Sequence, residues 1–104
     1  MLPIEHLRKS NTIENLWIYI LTLLKIKKRE IYGWELLVLI EKEFNFKPGK
    51  ITPYRVLYRL EKDGFVKSGM KGRRRIYQIT KNGERELELA KKFYREILNK
   101  LQKK

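Results

Sequence analysis

Residues 51–80, ITPYRVLYRLEKDGFVKSGMKGRRRIYQIT, constrain the fold of this chain more than any other stretch. Thr52-Pro53 is a helix start signal, with a capping hydroxyl followed by a proline whose missing N–H costs nothing at the first helical position. Val56, Leu57 and Leu60 then recur at helical spacing, which leaves Tyr54, Arg55, Tyr58 and Arg59 facing outward. Asp63-Gly64 stops the helix, because glycine takes a positive φ without strain. Two runs rich in β-formers follow, Phe65–Met70 and Arg73–Thr80, around a turn containing Gly69 and Gly72. A helix delivered straight into a hairpin, with no room for a crossover, leaves few architectures open.

The elements on either side extend this unit. Ile13, Leu16, Trp17, Ile20, Leu21, Leu23 and Leu24 predict a first helix over Asn11–Lys27, capped by Asn11 or Thr12 and apolar on more than one side. The N-terminus before it reads as frayed. A second helix is expected over Ile31–Phe44, with Trp34, Leu37, Val38, Ile40, Glu41 and Phe44 on its inner face and a turn at Pro48-Gly49. Thr80 can cap a long last helix over Lys81–Gln102, whose apolar positions are Leu87, Ala90, Tyr94, Ile97, Leu98 and Leu101, with Leu89 and Phe93 alongside. The order is α-α-α-β-β-α: a mainly α fold with a small β-hairpin, a winged helix-turn-helix with a long C-terminal helix added. No repeat or second domain is apparent. Residues 1–80 read as the DNA-binding unit and 81–104 as a dimerisation helix on the same structural domain.

Charge narrows the function. Lys plus Arg number 25 against 12 Asp plus Glu, a net charge of +13 that repels itself in a folded chain unless a polyanion neutralises it. Nucleic acid is the first candidate and an anionic membrane the second. A hydrophobic fraction of 42% argues for a packed core rather than disorder. No run of the sequence is apolar enough to span a bilayer and no signal peptide is evident, so a cytoplasmic location is expected. Cysteine is absent, the sole histidine is His6 near the N-terminus, and Asp63 is the only aspartate. That leaves no catalytic constellation, no ligand set for a metal and no cofactor motif, and the chain reads as a non-enzyme.

The basic residues concentrate where the helix and hairpin adjoin. Lys50, Arg55, Arg59, Lys62, Lys67, Lys71, Arg73, Arg74 and Arg75 face only Glu61 and Asp63. Phosphate contacts supply affinity and base-edge contacts supply sequence choice. Arg55 and Arg59, one turn apart, suit guanine edges in a major groove. Thr52, Tyr54 and Tyr58 complete that helix surface, and Lys67, Lys71, Arg73, Arg74 and Arg75 place the wing on backbone or minor groove. A second backbone contact could come from Lys28 and Arg29 in the cluster after the first helix, from Tyr32-Gly33 at the start of the second, and from Lys50. Two bland readings stand equally open: cations neutralising a helix C-terminus, and Gly33 permitting close packing. Trp17 and Trp34 fit core positions; the alternative is that Trp17 lines a cavity taking a flat aromatic ligand. The last helix exposes more apolar surface than so small a domain can cover, which points to a second copy of the chain.

Three segments in order resemble the PadR-like transcriptional regulators. They are Thr52-Pro53-Tyr54-Arg55-Val56-Leu57-Tyr58-Arg59-Leu60-Glu61-Lys62-Asp63-Gly64, then Arg73-Arg74-Arg75-Ile76-Tyr77-Gln78-Ile79-Thr80 with Gly83, and Tyr32-Gly33-Trp34-Glu35-Leu36. The resemblance covers about Ile13–Leu101. It implies a dimeric winged-helix repressor, with DNA contacts at Tyr54, Arg55, Tyr58, Arg59, Lys71, Arg73 and Arg74 and a C-terminal helix packed on the partner. Pro53 stands where the family has leucine, which removes one apolar anchor. The function expected is sequence-specific binding of double-stranded DNA by a homodimeric repressor; the alternative is sequence-tolerant, architectural coating of DNA.

Overall fold

In the computed structural model, which describes residues 1–103, the chain runs α1 (Pro3–Ser10), α2 (Leu16–Lys27), β1 (Ile31–Tyr32), α3 (Gly33–Phe44), α4 (Thr52–Lys62), β2 (Val66–Lys71), β3 (Arg74–Ile79) and α5 (Lys81–Gln102). The strands form one antiparallel sheet in the order β1-β3-β2. Helix α2 is the central post. Leu16, Ile20, Leu21, Leu23 and Leu24 are all buried, as its broad apolar stripe requires, and Ile31, Leu36, Ile40, Leu57, Leu60, Val66, Tyr77 and Leu87 close around them.

Four local readings of the sequence need correction. The first helix is two. Asn11 and Thr12 do not cap a helix ahead of them; their side chains turn back to α1, where Asn11 Nδ2 donates to the Leu7 carbonyl (2.9 Å) and Thr12 Oγ1 to the Arg8 carbonyl (2.9 Å). Residues 11–15 are therefore a turn, Ile13 is exposed, and the segment expected to fray is helical.

Residues Ile31–Tyr32 are a strand rather than the first turn of a helix, paired Ile31↔Tyr77 and Tyr32↔Ile76. Two residues carry no periodicity, so only the tertiary pairing with β3 reveals them. The inner line of α3 is consequently Gly33, Leu36 and Ile40, with Phe44 half-buried; Trp34 (48% exposed) and Val38 (55%) lie outside, as does Glu41.

At α4, Thr52 is the first helical residue and Ile51 takes the cap position, with no capping side-chain bond. Pro53 is fully buried, so it serves as the apolar anchor it seemed to remove. In the hairpin, Gly69 lies within β2 opposite Ile76, and the turn is Gly72-Arg73 alone. Gly72 at φ +65° in the first turn position is the type II′ pattern, whose twist suits a two-residue hairpin.

Helix α5 begins as its sequence predicts: the Gly83 N–H donates to Thr80 Oγ1 (3.0 Å), and that hydroxyl donates to the Gly64 carbonyl (2.7 Å). Its two halves then differ. Gly83 and Leu87 are buried against the domain, whereas every described residue from Lys91 onward is exposed. The outer half extends about 18 Å at 1.5 Å per residue, and the molecule is 56 Å long against 31 and 22 Å in its other dimensions. Lys104 lies outside the described residues.

Candidate nucleic-acid interface

Sequence position says where a cation is; ion pairing says whether it is available. The basic cluster at the C-terminal end of α2 is largely engaged. Lys25 pairs with Glu88 (3.2 Å), Lys27 with Glu43 (2.9 Å) and Arg29 with Glu35 (2.5 Å). Glu35 also accepts the Tyr32 N–H (3.3 Å), so Arg29 is part of the brace that starts α3. The Arg29 hydrogen bond holds the Glu35 carboxyl below the usual carboxylate range. Of the two residues singled out in this cluster as backbone contacts, only Lys28 lacks an acidic partner among the described residues.

The opposite holds on α4 and the wing. Among the described residues Lys50, Arg55, Arg59, Lys62, Lys67, Lys71, Arg73 and Arg74 make no ion pair, and all are exposed. Leucines at 57 and 60, with Pro53, seat α4 on the core and turn these side chains outward. Arg75 is the exception in the wing. It donates to Ser68 Oγ (3.0 Å), and Ser68 in turn donates to Glu61 of α4 (2.6 Å), a tie that holds the hairpin against the helix.

The outer surface of α4 has two flanks. Tyr54 belongs to the flank facing the wing, in an open groove of about 580 Å³ lined by Gly33, Trp34, Tyr54, Arg74, Arg75 and Tyr77. Helix α4, the α3 N-terminus and β3 thus meet in one concavity. Gly33 is buried there: a Cβ would stand 2.7 Å from Tyr54 Cε1, so the tyrosine ring packs directly over the glycine and would have to shift for any larger residue. Tyr58, the most exposed of these rings at 70%, stands one turn beyond Tyr54. Arg55 and Arg59 edge the other flank, a hollow of about 400 Å³ whose apolar walls include Trp17, Val56 and Phe65. Trp17 is half-buried, packs against the core and also edges this open hollow.

The residues assigned to a partner surface separate in the same way. Leu87 is buried in the domain's own core, so it is not an interface residue. Ala90 is half-buried, whereas Tyr94, Ile97, Leu98 and Leu101 are exposed, together with Leu89 and Phe93. Tyr94 Oη donates to Asn11 Oδ1 (2.9 Å), fastening α5 to the turn after α1. Sequence reasoning missed the apolar face of α1, where Leu2, Ile4 and Leu7 are exposed; the i, i+3 spacing of Ile4 and Leu7 was the available signal. It also missed Trp34 as a surface residue. No cluster of His, Asp or Glu able to hold a metal occurs among the described residues, and no helix there is long and apolar enough to cross a membrane.

Helices α2, α3 and α4 with a three-stranded sheet whose β2–β3 hairpin is a basic wing define a winged-helix protein. The chain belongs to the transcriptional regulator PadR-like family, whose model matches residues 20–89; its members are transcription regulators and not enzymes. A transcriptional regulator from Clostridium thermocellum is similar over 99% of this chain and 100% of its own, at 25% identity and a TM-score of 0.72. Bacillus subtilis PadR, solved in complex with operator DNA, is 28% identical and matches 70% of this chain and 44% of its own, at a TM-score of 0.58. The winged-helix DNA-binding protein F93 of STIV shares the fold, at 22% identity over 83% of this chain and 92% of its own and a TM-score of 0.72. No curated protein is similar enough to the chain to match it.

Proposed function

We propose that this chain is a homodimeric, sequence-specific double-stranded DNA-binding repressor. Residues 52–63 enter the major groove and the wing, residues 66–79, lies on the flanking backbone or minor groove. The observation that carries the reading is the distribution of free cations. Acidic partners occupy most of the cluster at the C-terminal end of α2, yet leave Arg55, Arg59, Lys71, Arg73 and Arg74 open on adjoining elements. Self-repulsion among exposed cations of that kind is relieved by a polyanion. PadR-family membership and the operator complex of the Bacillus subtilis relative support the same assignment.

Arg55 and Arg59 read bases in this scheme, while Lys67, Lys71, Arg73 and Arg74 bind phosphate, with Lys28 and Lys50 as outlying backbone contacts. Dimerisation rests on the outer half of α5. Phe93, Ile97, Leu98 and Leu101 form an exposed apolar strip along this helix, the kind of surface that marks a partner contact. Residues 81–104 are thus divided in role, the first half completing the core and the second meeting the partner. Two-fold symmetry would present two copies of α4 to a pseudo-palindrome with half-sites about one helical turn apart. A cytoplasmic site of action goes with this reading. A planar aromatic effector, if one acts on the protein, would find its seat in the hollow beside Trp17, where it would touch Arg55 and Arg59; quenching of tryptophan emission by such compounds tests that.

Selection of bound sequences from a random duplex pool tests the function. A palindromic consensus is expected, with Arg55→Ala or Arg59→Ala losing about 1–3 kcal/mol at the selected site and little on random DNA. Arg74→Ala should weaken both alike and lower the salt slope by about 1 per protomer. Selection that yields no consensus, with equal losses on all sequences, would leave architectural coating of DNA as the activity instead.

A further inference from the structure

Trp34 has the composition of a core residue and the position of a surface one. It opens α3 beside β1, remains 48% exposed, and stacks its indole on Tyr32, with ring centroids 6.2 Å apart and planes 14° from parallel. The pairing of Tyr32 with Ile76 brings this two-ring ledge against β3. Two residues before Ile76, on the same side of the strand, the Arg74 guanidinium carbon lies 5.8 Å from the centre of the Trp34 ring. The geometry is that of a cation–π contact.

We infer that Trp34 is a positioning residue for DNA binding: it holds the wing's Arg74 extended along the groove edge before DNA arrives. This deepens the reading of the wing as a DNA contact and rests on it. The physical point is which part of the guanidinium is used. Arg75 next door gives an N–H to Ser68 and through it is tied to Glu61. The Arg74 side chain makes no hydrogen bond or ion pair among the described residues, and its guanidinium carbon stands over the indole ring. All five N–H donors on its edge stay free for a phosphate. A long side chain already fixed in place loses less rotamer freedom on binding than one waving in solvent.

The test is a double-mutant cycle on the full chain with a fixed selected duplex. Trp34→Ala is expected to weaken binding about two- to fivefold, and Trp34→Phe, which keeps a π face, to restore most of that. Trp34→Leu keeps apolar bulk without the π face and should behave like Trp34→Ala, which separates the ring's charge interaction from packing. In an Arg74→Ala background, Trp34→Ala should change nothing further. A readout independent of DNA accompanies the cycle: the Arg74 δ-methylene protons should carry an upfield ring-current shift in the wild type and Trp34→Phe, lost in Trp34→Leu. Additive losses in the cycle, or Arg74 protons at ordinary positions in the wild type, would overturn the inference while wild-type DNA binding still stood. A wild-type chain that bound no duplex at low salt would instead remove the DNA-binding reading, and this one with it.

Discussion

Replacing Gly83 by alanine should be one of the most damaging single-methyl changes in this protein. A Cβ there would stand 2.1 Å from the Phe65 carbonyl oxygen and 2.8 Å from Ile79 Cγ1, short of ordinary contact with the carbonyl by more than an ångström. The carbonyl cannot step aside cheaply, because it accepts the Thr80 N–H at 3.1 Å. If α5 lifts instead, the Gly83 N–H leaves Thr80 Oγ1, a cap worth about 1 kcal/mol, and Leu87 one turn on is drawn from its buried seat at about 0.8 kcal/mol per methylene exposed. Either route also loses a backbone bond worth about 1 kcal/mol. Against this, alanine gains less than about 1 kcal/mol of helix propensity. The net cost is about 2–4 kcal/mol out of a total stability near 5–15 kcal/mol for a domain of this size. That corresponds to a fall in Tm of roughly 10–25 °C. Urea denaturation gives the value directly, with Gly69→Ala as control, since nothing lies within 4 Å of a Cβ at that position. Because the same contact fixes where α5 leaves the domain, the variant should also bind DNA more weakly at temperatures where it remains folded. A Gly83→Ala midpoint within about 0.5 kcal/mol of wild type would refute the close approach.

Leu87 and Leu98 should separate folding from assembly. Leu87→Ala is expected to cost about 2–5 kcal/mol of fold stability; Leu98→Glu, at a site 53% exposed, should leave a folded monomer and abolish the concentration dependence of Tm that a dimer shows. A dimeric Leu98→Glu in sedimentation would move the interface elsewhere. Glu35→Gln should cost about 0.5–1 kcal/mol at pH 7, since water reaching half-exposed Arg29 screens the pair. With Glu35 titrating lower in the folded chain than in the unfolded, that contribution is complete above about the ordinary value of 4.5 and drains away as pH falls through the folded value. Denaturation curves for wild type and variant should therefore converge as pH falls progressively below 4.5; a gap constant with pH would contradict the pairing.

How much was legible can be read element by element. Helix α4, its glycine stop and the capped start of α5 were plain, because proline, glycine and threonine act on their immediate neighbours. The turn after α1 was misread because Asn11 and Thr12 read locally as N-caps, whereas their side chains donate back to the Leu7 and Arg8 carbonyls of the preceding helix. Strand β1 was invisible, since two residues have no period, and its loss displaced the whole inner face of α3, so that Trp34 was placed in the core. The basic surface was found, but not which of its members were free. Arg29, Lys27 and Lys25 meet acids 6, 16 and 63 residues away along the chain.

By itself the sequence determined the run from helix α4 through the hairpin to α5, the excess of positive charge and the choice of helix that would face outward, since spacing, glycine stops and composition are local properties carried by the chain wherever it goes. Tertiary structure alone decided which cations keep their charge exposed, which leucine of α5 serves the core, and that an indole lies under a wing arginine. Those depend on atoms brought together from distant positions, and the chain holds no record of such distances until it is folded.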